Sequence, residues 1–110
     1  MLDHIIKGDG YQCVPGTNRK DAYPNIVCAD GTSLSVQASQ SHYSLPREDF
    51  GPYTAVEVGY PSADVPESWN EFKQGDLNVF AFVPVELVRA YVASHGGEVN
   101  APIYLTETTE

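Results

Sequence analysis

The clearest alternation of apolar and polar positions lies between Asn25 and Ala38. Apolar side chains take every second position from residue 34 to residue 38, as in a strand with one buried and one solvated face. Asp30-Gly31 separates this run from an earlier apolar run. A type I′ turn needs positive φ at both central positions, which Asp and Gly tolerate best. The pattern therefore predicts a β-hairpin with Asp30 and Gly31 at its turn.

Two further strands are predicted in the second half of the chain. Residues 54–60 alternate, with Val56 and Val58 on one face and Glu57 on the other. Residues 76–83 carry apolar side chains on both faces, which is typical of a central strand that is covered on both sides.

The ends of the chain give weaker patterns. Residues 2–7 alternate loosely and predict a short first strand. Residues 101–105 predict an edge strand, because Pro102 lacks the N–H that a central strand would use. The acidic tail at residues 106–110 is expected to be frayed.

The main predicted helix spans residues 84–95, where apolar positions recur at the three-and-four spacing of one buried stripe. Gly96-Gly97 follows as a left-handed stop. A shorter helix is expected near residues 66–73, because Pro66 and Glu67 suit a first helical turn. The stripe of the main helix consists of Leu87, Val88, Tyr91, Val92 and His95.

These elements predict one α+β domain over residues 1–105. Strands followed by a helix, without repeated strand-helix-strand units, favour an antiparallel sheet of four to five strands that is covered on one face. A length of 110 residues suits a single hydrophobic core.

Among the features of the sequence, the distribution of charge says most about function. The formal net charge is −9, which disfavours direct nucleic-acid binding, because that binding depends on Lys and Arg. Residues 48–76 hold seven acids against Lys73 alone, and aromatic residues lie among them. Acids with aromatic anchors suit docking to a basic protein surface. The candidate partner-binding residues are Glu48, Asp49, Glu57, Asp64, Glu67, Trp69, Glu71 and Asp76. The alternative is that the rings face inward and the acids only solubilise the chain.

Catalytic and metal chemistry receive little support from the sequence. The candidate ligands lack the close pairs, such as Cys-x-x-Cys, of structural zinc sites. A Cys28–His42 nucleophile pair would need a stabilised thiolate, whereas Cys28 lies in a predicted strand arm. Cys13 and Cys28 are interpreted as reduced thiols, with a disulfide as the alternative. We therefore predict no catalytic residue, metal or cofactor.

The cellular location is predicted from two kinds of segment that the sequence lacks. The chain has no export signal and no apolar run of the length that a membrane span needs. These observations predict a cytoplasmic protein without membrane association.

Residues 21–39, 51–62 and 83–88 together resemble segments of small bacteriophage and prophage proteins. In size and acidity the chain is also similar in kind to anti-CRISPR proteins. The resemblance implies a phage-type inhibitor, acting in a host bacterial cell, whose acidic surface competes with nucleic acid for a basic host protein or nucleoprotein complex. One alternative is an oligomeric phage accessory protein, such as a homodimer that uses a sheet edge or the loop 39–53. A weaker alternative is a small thiol- or metal-dependent enzyme.

Overall fold

The fold is described by a computed structural model for residues 2–8, 23–48 and 51–99, and it is built on a four-stranded antiparallel sheet. The strand order is β1-β2-β3-β4, and each strand pairs with the next in the chain. This arrangement confirms the α+β class, with a main helix and short helices beside the sheet. The strands are β1 (Ile26–Val27), β2 (Ser33–Gln37), β3 (Ala55–Gly59) and β4 (Val79–Pro84). The helices are α1 (Leu2–Lys7), a short 3₁₀ helix (Glu67–Phe72) and α2 (Val85–Ser94).

One apolar cluster joins the sheet to all three helices. Val36 pairs with Val58 across β2 and β3, and Val58 pairs with Phe80 across β3 and β4. The predicted stripe of α2 is confirmed in part, since Val88, Tyr91 and Val92 are buried in this cluster and Leu87 is partly buried against it. His95 does not belong to the cluster. Burial of these side chains in a shared core packs the helices against the sheet.

The hairpin is confirmed, but its turn differs from the predicted one. Gly31 has a φ of 91°, whereas Asp30 is not among the described residues with positive φ. The Gly31 N–H donates to the Cys28 carbonyl at 2.9 Å, and the Cys28 N–H donates to the Thr32 carbonyl at 2.8 Å. This is the pattern of a three-residue loop that ends in a left-handed residue, so the type I′ prediction was wrong.

The first element is a helix, and the strand prediction for residues 2–7 was wrong. Leu2, Ile5 and Ile6 are its buried residues. Their spacing of three and four places all three on one side of a helix, whereas a strand would separate Ile5 from Ile6. A six-residue segment is too short for loose alternation to decide between the two.

The fourth strand is the last in the sheet order, and the prediction of a central strand was wrong. The pairing of β3 with β4 is irregular between Val56 and Val58, and Phe82 has a φ of 55°. This irregularity breaks the alternation of faces, so that Phe80 and Val83 both enter the core while Phe82 is partly exposed.

After α2 the chain turns back and runs along the outer side of β1. Gly96 and Gly97 have φ values of 95° and 85°, which confirms the predicted left-handed stop. The Val99 N–H then donates to the Val27 carbonyl at 2.8 Å. Residues 101–105 and 106–110 lie outside the described residues, as does Cys13. Within the described ranges, none of the helices has the length and apolar character required to cross a membrane.

Candidate functional site

The short helix presents an acidic side to solvent because its opposite side is fixed in the core. Its hydrogen bonds include the Trp69 N–H to the Pro66 carbonyl at 3.0 Å and the Lys73 N–H to the Asn70 carbonyl at 3.2 Å. The Trp69 ring is 1% exposed and lies between Phe80 and Tyr91, with centroid distances of 5.5 and 5.3 Å. Burial of this ring sets the rotation of the helix and leaves Glu67 and Glu71 exposed.

Four of the predicted acids are exposed in the short helix or in the segments before and after it, residues 61–65 and 73–78. One depression lies beside the helix, and of the four acids it is lined by Asp64. We call the exposed carboxylates of these segments and of the helix the acidic face. It consists of Asp64, Glu67, Glu71 and Asp76.

The acidic face keeps its charge within the described part of the chain. No salt bridge joins its four carboxylates to a described lysine or arginine. Lys73 borders the same depression and is the one base in residues 48–76. The face therefore has a formal charge of −4 against +1 from Lys73.

The remaining predicted acids lie elsewhere or outside the described residues. Glu57, near the middle of β3, is partly buried and accepts a hydrogen bond from the Tyr43 N–H at 3.3 Å. The Glu48 carbonyl accepts the Tyr53 hydroxyl at 2.6 Å, in the loop before β3. Asp49 lies outside the described residues. The acidic face is thus smaller than the sequence segment suggested.

Trp69 is not a surface anchor, so its place among the partner-binding residues is corrected. A ring that is 1% exposed can contact a partner only if the core opens. Tyr53 is also buried, and Phe72 is partly buried against the core. Of the aromatic residues that the structure describes in this segment, Tyr60 remains available, with 65% of its surface exposed.

A second exposed surface was missed from the sequence. Tyr43 and Phe82 are partly exposed and their ring centroids lie 5.6 Å apart. The Arg47 guanidinium lies 4.9 Å above the Tyr43 ring, and Leu45 is 48% exposed. We call these four residues the aromatic patch. Loop 39–53 gave no periodic pattern, and the outward position of Phe82 depends on the irregular register of β4.

The thiol of Cys28 has surroundings that favour the protonated form. Cys28 is a free cysteine, 1% exposed, on the hairpin. Burial raises the pKa of this thiol, and the nearby carboxylates of Asp30 and Glu98 raise the pKa further. A nucleophilic cysteine needs the thiolate and access to substrate, so this environment weighs against a catalytic role.

Two of the histidines, His42 and His95, contact residues in turns of the chain. His42 Nδ1 lies 2.7 Å from Ser39 Oγ, but the serine is fully buried and its oxygen also accepts the Ser41 N–H. His95 Nδ1 lies 2.6 Å from the Asp30 carboxylate in the hairpin turn. Among the described residues, no group of three or more His, Cys, Asp or Glu side chains is placed to hold a metal ion.

Comparison of the chain with known protein families, curated proteins and solved structures finds no match.

Proposed function

We propose that this chain is a binding protein that docks a basic protein surface through its acidic face and thereby competes with nucleic acid. The observation that carries the proposal is the exposure of four carboxylates around one short helix with Lys73 as the nearby base. Such a surface resembles a run of phosphates in charge, which a basic groove attracts.

The structure around the acidic face supports docking without rearrangement. Trp69 fixes the helix, and the Tyr91 hydroxyl holds the preceding segment through the Ala63 carbonyl at 2.9 Å. A surface that is ordered before binding loses less conformational entropy in the complex. Tyr60, at the end of β3, supplies exposed aromatic area beside the charges.

The partner class comes from the resemblance to phage and prophage proteins. It favours a host nucleic-acid-handling defence complex, with CRISPR effectors as the first complexes to test. In this proposal the protein is an inhibitor that occupies the basic channel in which the effector holds nucleic acid.

The test is competition between this protein and target nucleic acid for a purified effector complex, measured by fluorescence anisotropy. We expect labelled nucleic acid to be displaced, and the displacement to weaken as salt screens the charges. The variant Glu67→Lys/Glu71→Lys/Asp76→Lys should bind at least about 3- to 150-fold more weakly, because exposed charge pairs contribute about 0.2–1 kcal/mol each and reversal adds repulsion.

Glu86→Lys is the matched control, because Glu86 is an exposed acid of α2 outside the acidic face. It should retain most of the affinity. Docking through this face would be contradicted if the triple variant bound as tightly as the original chain. It would also be contradicted if Glu86→Lys and Glu71→Lys lost the same amount of affinity.

Self-association is a second candidate function, favoured by the aromatic patch. Exposed Leu45 and Phe82 place apolar surface beside Arg47, and contiguous apolar surface is typical of interaction sites. Sedimentation analysis at micromolar concentration tests it. A dimer that Leu45→Glu converts to a monomer would support this candidate, and a monomer throughout would exclude it.

A further inference from the structure

The depression beside the short helix is a cavity of about 380 Å³. This volume is at the small end of the range of about 300–1,000 Å³ for ligand pockets. Its lining includes Phe80, which is buried, and is mainly polar. The polar residues that line it are Ser62, Asp64, Asn70, Lys73 and Asn78.

The walls of this cavity are held by hydrogen bonds to the sheet. Ser62 and Ser33 are joined twice, by the Ser62 N–H to the Ser33 carbonyl and by the Ser33 N–H to Ser62 Oγ, both at 2.8 Å. The Asn78 side-chain amide donates to the Pro61 carbonyl at 3.3 Å. These bonds attach the segment before the short helix to β2 and to the residue that precedes β4, and the buried Trp69 attaches the helix to the core.

Two residues of opposite charge line this cavity without forming an ion pair. They are Asp64 and Lys73, and no salt bridge of 4.0 Å or less joins their side chains. Neither has another ion-pair partner among the described residues. Two separated opposite charges favour a ligand that carries both charges itself.

We propose that the cavity binds a small zwitterion of the α-amino acid type. The ligand carboxylate contacts Lys73 and its ammonium contacts Asp64, while Asn70 and Asn78 contribute carboxamide groups at the rim. An anion alone meets repulsion from Asp64, and a cation alone meets repulsion from Lys73. This site is additional to the proposed docking function, although Asp64 belongs to both.

The experiment is a titration of the isotope-labelled protein with glycine, followed by amide chemical shifts in NMR spectra. Saturable shifts at Asp64, Lys73 and Asn78 are expected at millimolar glycine. Acetate carries only the negative charge of glycine, methylammonium carries only the positive charge, and glucose carries neither. These three compounds are therefore the matched probes. The proposal predicts smaller shifts with each of them than with glycine at equal concentration.

Lys73→Met and Asp64→Asn test the two charges separately. Each should weaken glycine binding by up to about 5-fold, because each removes one exposed charge pair with the ligand. Glu86→Gln is the control and should bind glycine as the original chain does. Both cavity side chains are exposed, so the variants are expected to fold.

Absence of saturable shifts at these amides overturns the proposal, as does equal binding of acetate or methylammonium. Undiminished glycine binding in both variants also overturns it. Lys73→Met separates this site from docking, because loss of the positive charge should strengthen attraction to a basic partner while it weakens glycine binding. The two proposals can therefore fail independently.

Discussion

His95, at the end of α2, and Asp30, in the turn of the β-hairpin, are joined by a contact of 2.6 Å between Nδ1 and the carboxylate. The Asp30 N–H also donates to the His95 carbonyl at 3.2 Å. The imidazole packs at a tilt of 59° against Tyr91, with 4.7 Å between the ring centroids. Through these contacts the end of the main helix is attached to the tip of the hairpin.

We expect the Asp30 contacts to make stability depend on acid pH. Hydrogen bonds from the Thr32 side chain, the Thr32 backbone and His95 lower the pKa of Asp30 from 3.8 to about 2. Because the folded-state pKa is depressed, this stabilisation is complete above the ordinary value and is lost as pH falls from 3.8 to about 2. Urea unfolding of the original chain and of Asp30→Asn across this range measures it. The stability difference between the two should shrink as pH falls, and a constant difference would contradict the prediction.

Trp69→Ala should destabilise the fold by about 3–5 kcal/mol, because the largest buried side chain of the short helix would leave a cavity beside Phe80 and Tyr91. Urea unfolding followed by circular dichroism measures the change without relying on the single tryptophan. Trp69→Phe should cost less. A loss below about 1 kcal/mol for Trp69→Ala would show that the ring is not held in the core.

Tyr60→Gly should stabilise the protein, even though it shortens an aromatic side chain. Tyr60 has a φ of 50° and is 65% exposed, so the strain of the left-handed region is offset by few contacts. Glycine relieves about 1–2 kcal/mol of backbone strain in the folded state. It also makes the unfolded chain more flexible, which costs about 0.4–1 kcal/mol of stability, so the net gain in stability is small.

Phe82→Gly is the comparison for Tyr60→Gly. Phe82 has a similar φ of 55°, but its ring packs against Tyr43. Its replacement should give less gain or a net loss in urea unfolding. Greater stabilisation from Phe82→Gly than from Tyr60→Gly would contradict this account.

Gly96→Ala should be more damaging than Gly97→Ala. Both glycines have positive φ, so each alanine meets similar backbone strain. A Cβ at Gly96 would lie 2.8 Å from the Ala29 Cβ, whereas a Cβ at Gly97 meets nothing within 4 Å. Thermal unfolding of the two variants separates the steric effect from the shared strain. Equal melting temperatures would indicate that the hairpin turn moves aside freely.

Periodic segments of the fold were predictable from the sequence, and segments that depend on local backbone geometry were not. The buried stripe of α2 and the alternation in β2 persist long enough for burial to follow the sequence period. In contrast, α1 has six residues, and the outward ring of Phe82 depends on a register irregularity in β4. The sequence does not predict that irregularity, because a phenylalanine seldom adopts positive φ.

The candidate site was predictable in its charge but not in its geometry. An excess of acids over bases can be counted, so the exposure of Glu67 and Glu71 was expected. The inward position of Trp69 depends on which side of a short helix meets the sheet, and six residues give little periodicity to decide it. The approach of Asp64 and Lys73 to one cavity depends on the turns around the helix, which only the fold brings together.

The return of the chain after α2 has a consequence for assembly. Glu98 lies opposite Cys28, and Val99 bonds to Val27, so the outer backbone groups of β1 are already used within the molecule. An incoming strand from a neighbouring chain would first have to peel this segment away. Extension of the sheet into a larger assembly at the β1 side is therefore blocked by the protein's own backbone.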